Sequence, residues 1–102
     1  MRKFTALLAV TALVAAIAAA SAFAATNVAW KVGTNKTIRI HKGGKVKWVW
    51  SDRQPHNVKG PGFHSKLIAK KGFSFSHTFR SKGTFRIICQ VHSNMHTTVK
   101  VS

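Results

Sequence analysis

The chain has 102 residues, with 17 Lys and Arg against a single acid, six His and one Cys. One cysteine excludes an internal disulfide, and the length excludes more than one small domain once a leader is taken off. A formal net charge of +16 calls for an acidic counterpart: a partner protein, an anionic lipid surface, a cell-wall polymer or nucleic acid.

Arg2 and Lys3 are followed by FTALLAVTALVAAIAAASAFAA, which ends in Ala22-Phe23-Ala24. A basic start, an apolar run and a small-residue A-x-A end make a secretory signal peptide cleaved after Ala24. The alternative is an uncleaved membrane anchor, because no charge falls between Phe4 and Ala29. The apolar run is short and Ala-rich for a bilayer span, which favours cleavage. The expected division is therefore a signal peptide over 1–24 and one domain over 25–102, placed in a periplasm or outside the cell. So small a domain has a thin core and often needs a staple; with no disulfide, a bound metal is the remaining common one. An exported lone thiol is open to oxidation unless it is buried and inert or coordinated as a thiolate by a soft metal.

The rest reads as short strands. Asn27–Lys31 opens the fold. Lys36–His41 alternates, with Ile38 and Ile40 on one face. Lys42-Gly43-Gly44-Lys45 is a turn into Val46, Trp48 and Trp50, the most regular period-two run in the chain. Pro55, Gly60, Pro61 and Gly62 predict an irregular loop around a short strand at His56–Lys59. Phe73, Phe75, His77 and Phe79 share one face of the next strand. Ser81-Lys82-Gly83 turns into Thr84–Cys89, and Thr97–Val101 is the last strand. Several short strands at regular spacing, with no helical pattern after the leader, give an all-β sandwich or barrel.

Cys89, His92 and Met95 follow one another at intervals of three. Thiolate, imidazole and thioether are soft-to-borderline ligands. One Cys, two His and a weak axial Met make a blue-copper electron-transfer site. The loop lacks one histidine, and His41, His56, His64, His77 and His96 are the candidates. His56 is favoured, since it follows a turn at a strand edge. His41 precedes a Gly-Gly turn and is expected to be exposed, His64 lies in the Pro/Gly loop, and His77 reads as a core or edge residue. His96 would point away from Met95 in an extended chain. Zinc also takes Cys and His, but it tends to reject the thioether that Met95 offers.

WVWSDRQPHNV, GFSFSHTF and GTFRIICQVHSNMHTTVKV together resemble the cupredoxins, in particular the small plastocyanin- and amicyanin-like ones. The resemblance runs from Lys36 to Val101. It implies a Greek-key β-sandwich holding one copper ion that cycles between Cu(I) and Cu(II). It implies His56, Cys89 and His92 as equatorial ligands, Met95 as the axial one, and Asn57 as the residue tying the two ligand loops together. It further implies a one-electron carrier rather than an enzyme, working through an apolar patch near His92. The expected partners are acidic redox proteins, exported or membrane-bound, met by a monomer that also touches anionic membrane surfaces. Two positions depart from the family pattern: Ile87, where many members carry an aromatic, and Thr97, where glycine is frequent. No proline flanks His92.

Two other readings remain. The same ligands suit copper storage or delivery. From a different class, Lys70-Lys71-Gly72-Phe73-Ser74-Phe75 is similar to the nucleic-acid strand of cold-shock domains, small barrels that stack bases on aromatics. Export, the serine in place of that pattern's second glycine, and the use of the Phe face as core all speak against nucleic acid as a partner.

Overall fold

The computed structural model describes residues 24–102. The expected signal peptide, Ala24 apart, lies outside the described residues. Eight strands follow in order: β1 (Thr26–Trp30), β2 (Asn35–Ile40), β3 (Lys45–Trp50), β4 (Lys59–Gly60), β5 (Phe63–His64), β6 (Ser74–Thr78), β7 (Gly83–Cys89) and β8 (His92–Val101). They form two sheets, β1-β3-β6 and β2-β8-β7-β4-β5, with β1/β3 and β2/β8 paired parallel. All described elements are strands, as the period-two pattern requires. The strands and the core cluster of the described residues fall within residues 26–101, so this part of the chain carries its own core.

The sheets close on a core set by alternation. In β3, Val46, Trp48 and Trp50 point inward and are buried, while Lys47 and Val49 face the other way. In β8, Met95, Thr97, Val99 and Val101 do the same. Three tryptophans, Trp30, Trp48 and Trp50, are fully buried. Truncating any one of them to alanine costs about 3–5 kcal/mol. This aromatic core supplies much of what a small domain otherwise lacks.

Each indole N–H has an acceptor, as burial demands. Trp30 Nε1 donates to the Asn57 carbonyl (3.0 Å), Trp50 Nε1 to the Ile68 carbonyl (2.8 Å) and Trp48 Nε1 to Thr97 Oγ1 (3.3 Å). Thr97, the departure from the family pattern, thus provides a hydroxyl that glycine lacks. Ile87, the other departure, is fully buried. Its Cδ1 lies 2.6 Å from where a Cβ on residue 60 would sit, so Gly60 is required by close approach.

Two boundaries differ from the sequence reading. The short strand expected at His56–Lys59 is a single antiparallel bridge, His56 to Ile68, followed by the two-residue β4. The last strand begins at His92 rather than Thr97, because Ser93 and Asn94 bulge outward within it without ending it. Phe73, Phe75, His77 and Phe79 do share the inward side, with Ser74 and Ser76 exposed between them. Phe73 meets Trp50 edge-on at 4.9 Å, and Phe75 packs near Trp48. These rings are therefore core and form no base-stacking platform.

His77 lies flat on Phe63, with centroids 3.7 Å apart and planes 10° from parallel. Burial, and secondarily the Arg80 guanidinium, lower its pKa below the ordinary 6.5. Its neutral form is the one the fold accepts. As pH falls below about 6.5 the unfolded chain takes up this proton first, so stability declines until the lower folded value is passed. His77→Phe is expected to keep the stack and remove this part of the slope. Denaturant midpoints of the two metal-free proteins between neutral and mildly acid pH check this; parallel curves would refute it.

Candidate metal centre

Cys89 ends β7 and His92 starts β8, with Gln90-Val91 as the two-residue turn between them. Residues paired across such a turn project to the same face. Cys89 is opposite His92 in register, and Cys89 Sγ lies 3.6 Å from His92 Nδ1. A regular hairpin would next pair Ile88 with Ser93. Instead Ile88 pairs with His96, and the register shifts between Ile88 and Cys89. Three residues are thereby looped out of the ladder. Ser93 and Asn94 are exposed, and Met95 turns back into the core at 1% exposure. The interval of three between His92 and Met95 is the length of this bulge.

His56 comes from the segment between β3 and β4. Its backbone exchanges two hydrogen bonds with Ile68, N–H to O at 3.0 Å and O from N–H at 2.9 Å. Its ring is fully buried and reaches Cys89 Sγ at 3.9 Å and His92 Nδ1 at 3.2 Å, both from Nδ1. Among the described residues, His56, Cys89 and His92 are the group whose donor atoms all fall within 4.8 Å of one another. His41, His64, His77 and His96 lie outside this cluster. His41 and His64 are exposed, and His96 is half-buried with Nδ1 unpartnered.

These spacings suit an ion. Imidazole nitrogen bonds a first-row metal at about 2.0 Å and thiolate sulfur at about 2.3 Å. Ligand atoms arranged around one centre at those lengths stand about 3.2–3.8 Å apart. Two of the observed separations, 3.2 and 3.6 Å, fall in that range and the third, 3.9 Å, lies just above it, with nitrogen to nitrogen the shortest.

Asp52, the chain's single acid, completes the arrangement and was not singled out from the sequence. Its Oδ1 lies 2.6 Å from His56 Nε2. A carboxylate only accepts, so Nε2 carries the proton and Nδ1 presents its lone pair to Cys89 and His92. Asp52 also accepts from Val32 N–H at 3.2 Å and Gln54 N–H at 3.0 Å. Burial is the largest single influence on its carboxyl and raises its pKa. The hydrogen bonds from His56, Val32 and Gln54, with a smaller electrostatic contribution from the His56 ring, together outweigh burial and hold it below the ordinary value. Its signal in the sequence is a lone acid in a cationic chain, four residues before a histidine.

Asn57, next to His56, reaches the Cys89–His92 turn. Its Nδ2 donates to Gln90 Oε1 (2.7 Å) and its Oδ1 accepts from Gln90 N–H (2.8 Å). Trp30 holds the Asn57 carbonyl from behind. Asn57→Ala removes both links to Gln90 and is expected to cost about 1–3 kcal/mol. It should also speed amide hydrogen exchange at Gln90. Unchanged exchange there would show that the pair does not hold the turn.

Residues 25–102 match the family model for copper-binding proteins of the plastocyanin/azurin family. No curated protein matches the chain. Among solved structures, a novel purple cupredoxin from Nitrosopumilus maritimus is 28% identical with a TM-score of 0.58, covering 65% of this chain and 77% of its own. An oxidised proline-to-alanine mutant of amicyanin is 25% identical with a TM-score of 0.61, covering 76% and 80%. A reduced tryptophan-to-tyrosine mutant of amicyanin, 22% identical with a TM-score of 0.62 and covering 78% and 81%, shares the fold.

Proposed function

The chain belongs to the plastocyanin/azurin family of copper-binding proteins, and from that premise we propose that it carries single electrons between redox partners outside the cytoplasm. It binds one copper ion, and the proposed ligands are His56, Cys89, His92 and Met95. Copper held there supplies a one-electron couple between Cu(I) and Cu(II). Residues 1–24 are proposed to be removed on export to a periplasm or the cell exterior.

The observation that carries this reading is the convergence of three donor atoms beneath an apolar exposed end. Val32, Leu67 and Val91 are the large hydrophobics exposed among the described residues. Each stems from a loop of the site. Val32 N–H binds Asp52, Leu67 precedes Ile68, which clamps His56, and Val91 precedes His92. His92 itself is half-buried and reaches this surface. Apolar contact of this kind lets a partner approach His92 and leave again, without a charge being buried at the crossing.

The chain's own residues do the rest. His56, Cys89 and Met95 are buried and the turn is tied through Asn57, so the donor set is held in place whichever charge it surrounds. With four protein ligands no position is left for a substrate, which speaks for a carrier and against an enzyme. Burial of three of the four also disfavours storage or delivery, which need the ion to leave.

Two measurements test this. One equivalent of Cu(II) should give a coloured protein that ascorbate bleaches and an oxidant restores over repeated cycles. Loss of copper on reduction would favour delivery instead. The excess of cations should also steer docking to an acidic redox partner. The association rate is expected to fall about ten-fold or more between low and high salt. A rate insensitive to salt would remove the acidic partner from the proposal.

A further inference from the structure

We infer that the end of the sandwich opposite the metal centre is a docking surface for an anionic membrane, occupied by the phosphate headgroups of its lipids. β3 runs from Lys45 to Trp50, whose ring lies beside His56, and β8 runs from His92 to Val101. The β2–β3 turn therefore sits roughly 17 Å or more from the site, at about 3.3 Å per strand residue.

At that end Arg39, His41, Lys42 and Lys45 line one concavity of about 250 Å³. Arg80 and Lys82, around the turn into β7, belong to the same end, as does Lys100 on β8. Arg39 and Lys100 are direct partners in the β2–β8 register, two like charges side by side, which costs stability unless an anion lies between them. No acidic side chain relieves them, because Asp52 is engaged at the other end.

What this end lacks is equally informative. The exposed large hydrophobics of the described residues are all at the metal end. A specific protein interface needs an apolar centre around which its polar rim is arranged. A layer of lipid headgroups needs none, since its charges are mobile and it attracts lysine and arginine without fixed pairing.

The path of the chain points the same way. Ala24 and Thr26 line the same concavity as the cations, so the uncharged, apolar stretch that begins at Phe4 joins the fold at this end. A leader seated in a bilayer brings this end to the lipid surface first, and its removal leaves the cations there. The His92 end then faces the aqueous compartment. That last consequence rests on the docking role proposed above; the lipid binding does not.

The test uses residues 25–102, with and without copper, and vesicles of phosphatidylcholine alone or mixed with phosphatidylglycerol. Two charge-matched triple variants separate position from net charge. Arg39→Gln/Lys42→Gln/Lys45→Gln alters the far end, and Lys31→Gln/Lys66→Gln/Lys70→Gln alters the metal end. All six side chains are exposed, so both variants should fold. Each basic residue at an anionic surface is worth roughly five-fold in partitioning. The far-end triple is expected to lower binding to mixed vesicles about a hundred-fold and the metal-end triple less than ten-fold, the same with or without copper. Equal losses, or no preference for mixed vesicles over phosphatidylcholine, would overturn the inference. So would polyglutamate or a DNA duplex that binds more tightly than the vesicles at equal charge and is lost with the same far-end triple. Those outcomes would reassign the surface to an acidic protein or to nucleic acid.

Discussion

Cys89→Ser is expected to leave a folded protein that no longer turns intensely coloured with Cu(II). The intense visible band of such a centre is charge transfer from a thiolate sulfur to the metal. A serine hydroxyl is a hard donor that stays protonated near neutral pH and gives no such band. Cys89 is the chain's single cysteine, so no other thiolate of the chain can take its place. The hydroxyl would sit within reach of His92 Nδ1 and His56 Nδ1, now 3.6 and 3.9 Å from Sγ. That offers it hydrogen-bond partners and limits the cost of burying it to about 1–3 kcal/mol. The fold should survive, as judged by tryptophan fluorescence. Copper affinity should fall by more than about a hundred-fold, since even the groups that orient a ligand are worth about 10–100-fold. Titration with Cu(II), read at once by absorbance and by a competing chelator, checks both. A band that persists in the variant would remove Cys89 from the ligand set.

The clustering of Cys89 with His92 could be read from the sequence because it is local. Cys89 and His92 are brought together by a two-residue turn, and a turn is a short-range feature that spacing reveals. Inward alternation in β3 and the Phe73–Phe79 run is equally local, and the sandwich follows from it. The contributions that could not be read depend on chain segments far apart. The parallel pairings of β1 with β3 and of β2 with β8 join strands that no turn connects. The two-residue strands β4 and β5 occupy a stretch rich in Pro and Gly, where composition speaks only of turns. The start of β8 was hidden by Ser93 and Asn94, polar residues that resemble a loop because they bulge into solvent. The cations are scattered evenly along the chain; only the fold sorts them into a metal end with apolar neighbours and a far end without. Asp52 is the part of the site least legible in the sequence. Four residues before a histidine has no fixed meaning outside a helix, and the contact exists because the loop after β3 doubles back beside Val32.

Asp52→Ala is accordingly expected to lower copper affinity more than any change but Cys89→Ser, although Asp52 is not among the proposed ligands. Removing it leaves His56 Nε2, in a fully buried ring, without its acceptor at 2.6 Å. The proton is then free to move to Nδ1, the nitrogen that faces Cys89 and His92. A protonated Nδ1 offers no lone pair, so every copper ion bound must first drive the tautomer back and fix the ring. The expected loss is about 10–100-fold in copper affinity. Val32 N–H and Gln54 N–H lose the same acceptor, so the loop that carries His56 loosens as well. Asp52→Asn separates charge from hydrogen bonding. It removes the negative charge just as alanine does, but its amide oxygen can still accept from Nε2–H. If the carboxylate acts chiefly by holding the tautomer, the asparagine variant should retain most of the affinity and the alanine variant should not. If it acts chiefly by its charge, the two should lose alike. Nitrogen chemical shifts of the His56 ring in the metal-free proteins report the tautomer directly, and chelator competition reports the affinity. An alanine variant with native shifts and native affinity would show that the surrounding packing alone sets the ring, and that the single carboxylate of this cationic chain serves only its loop.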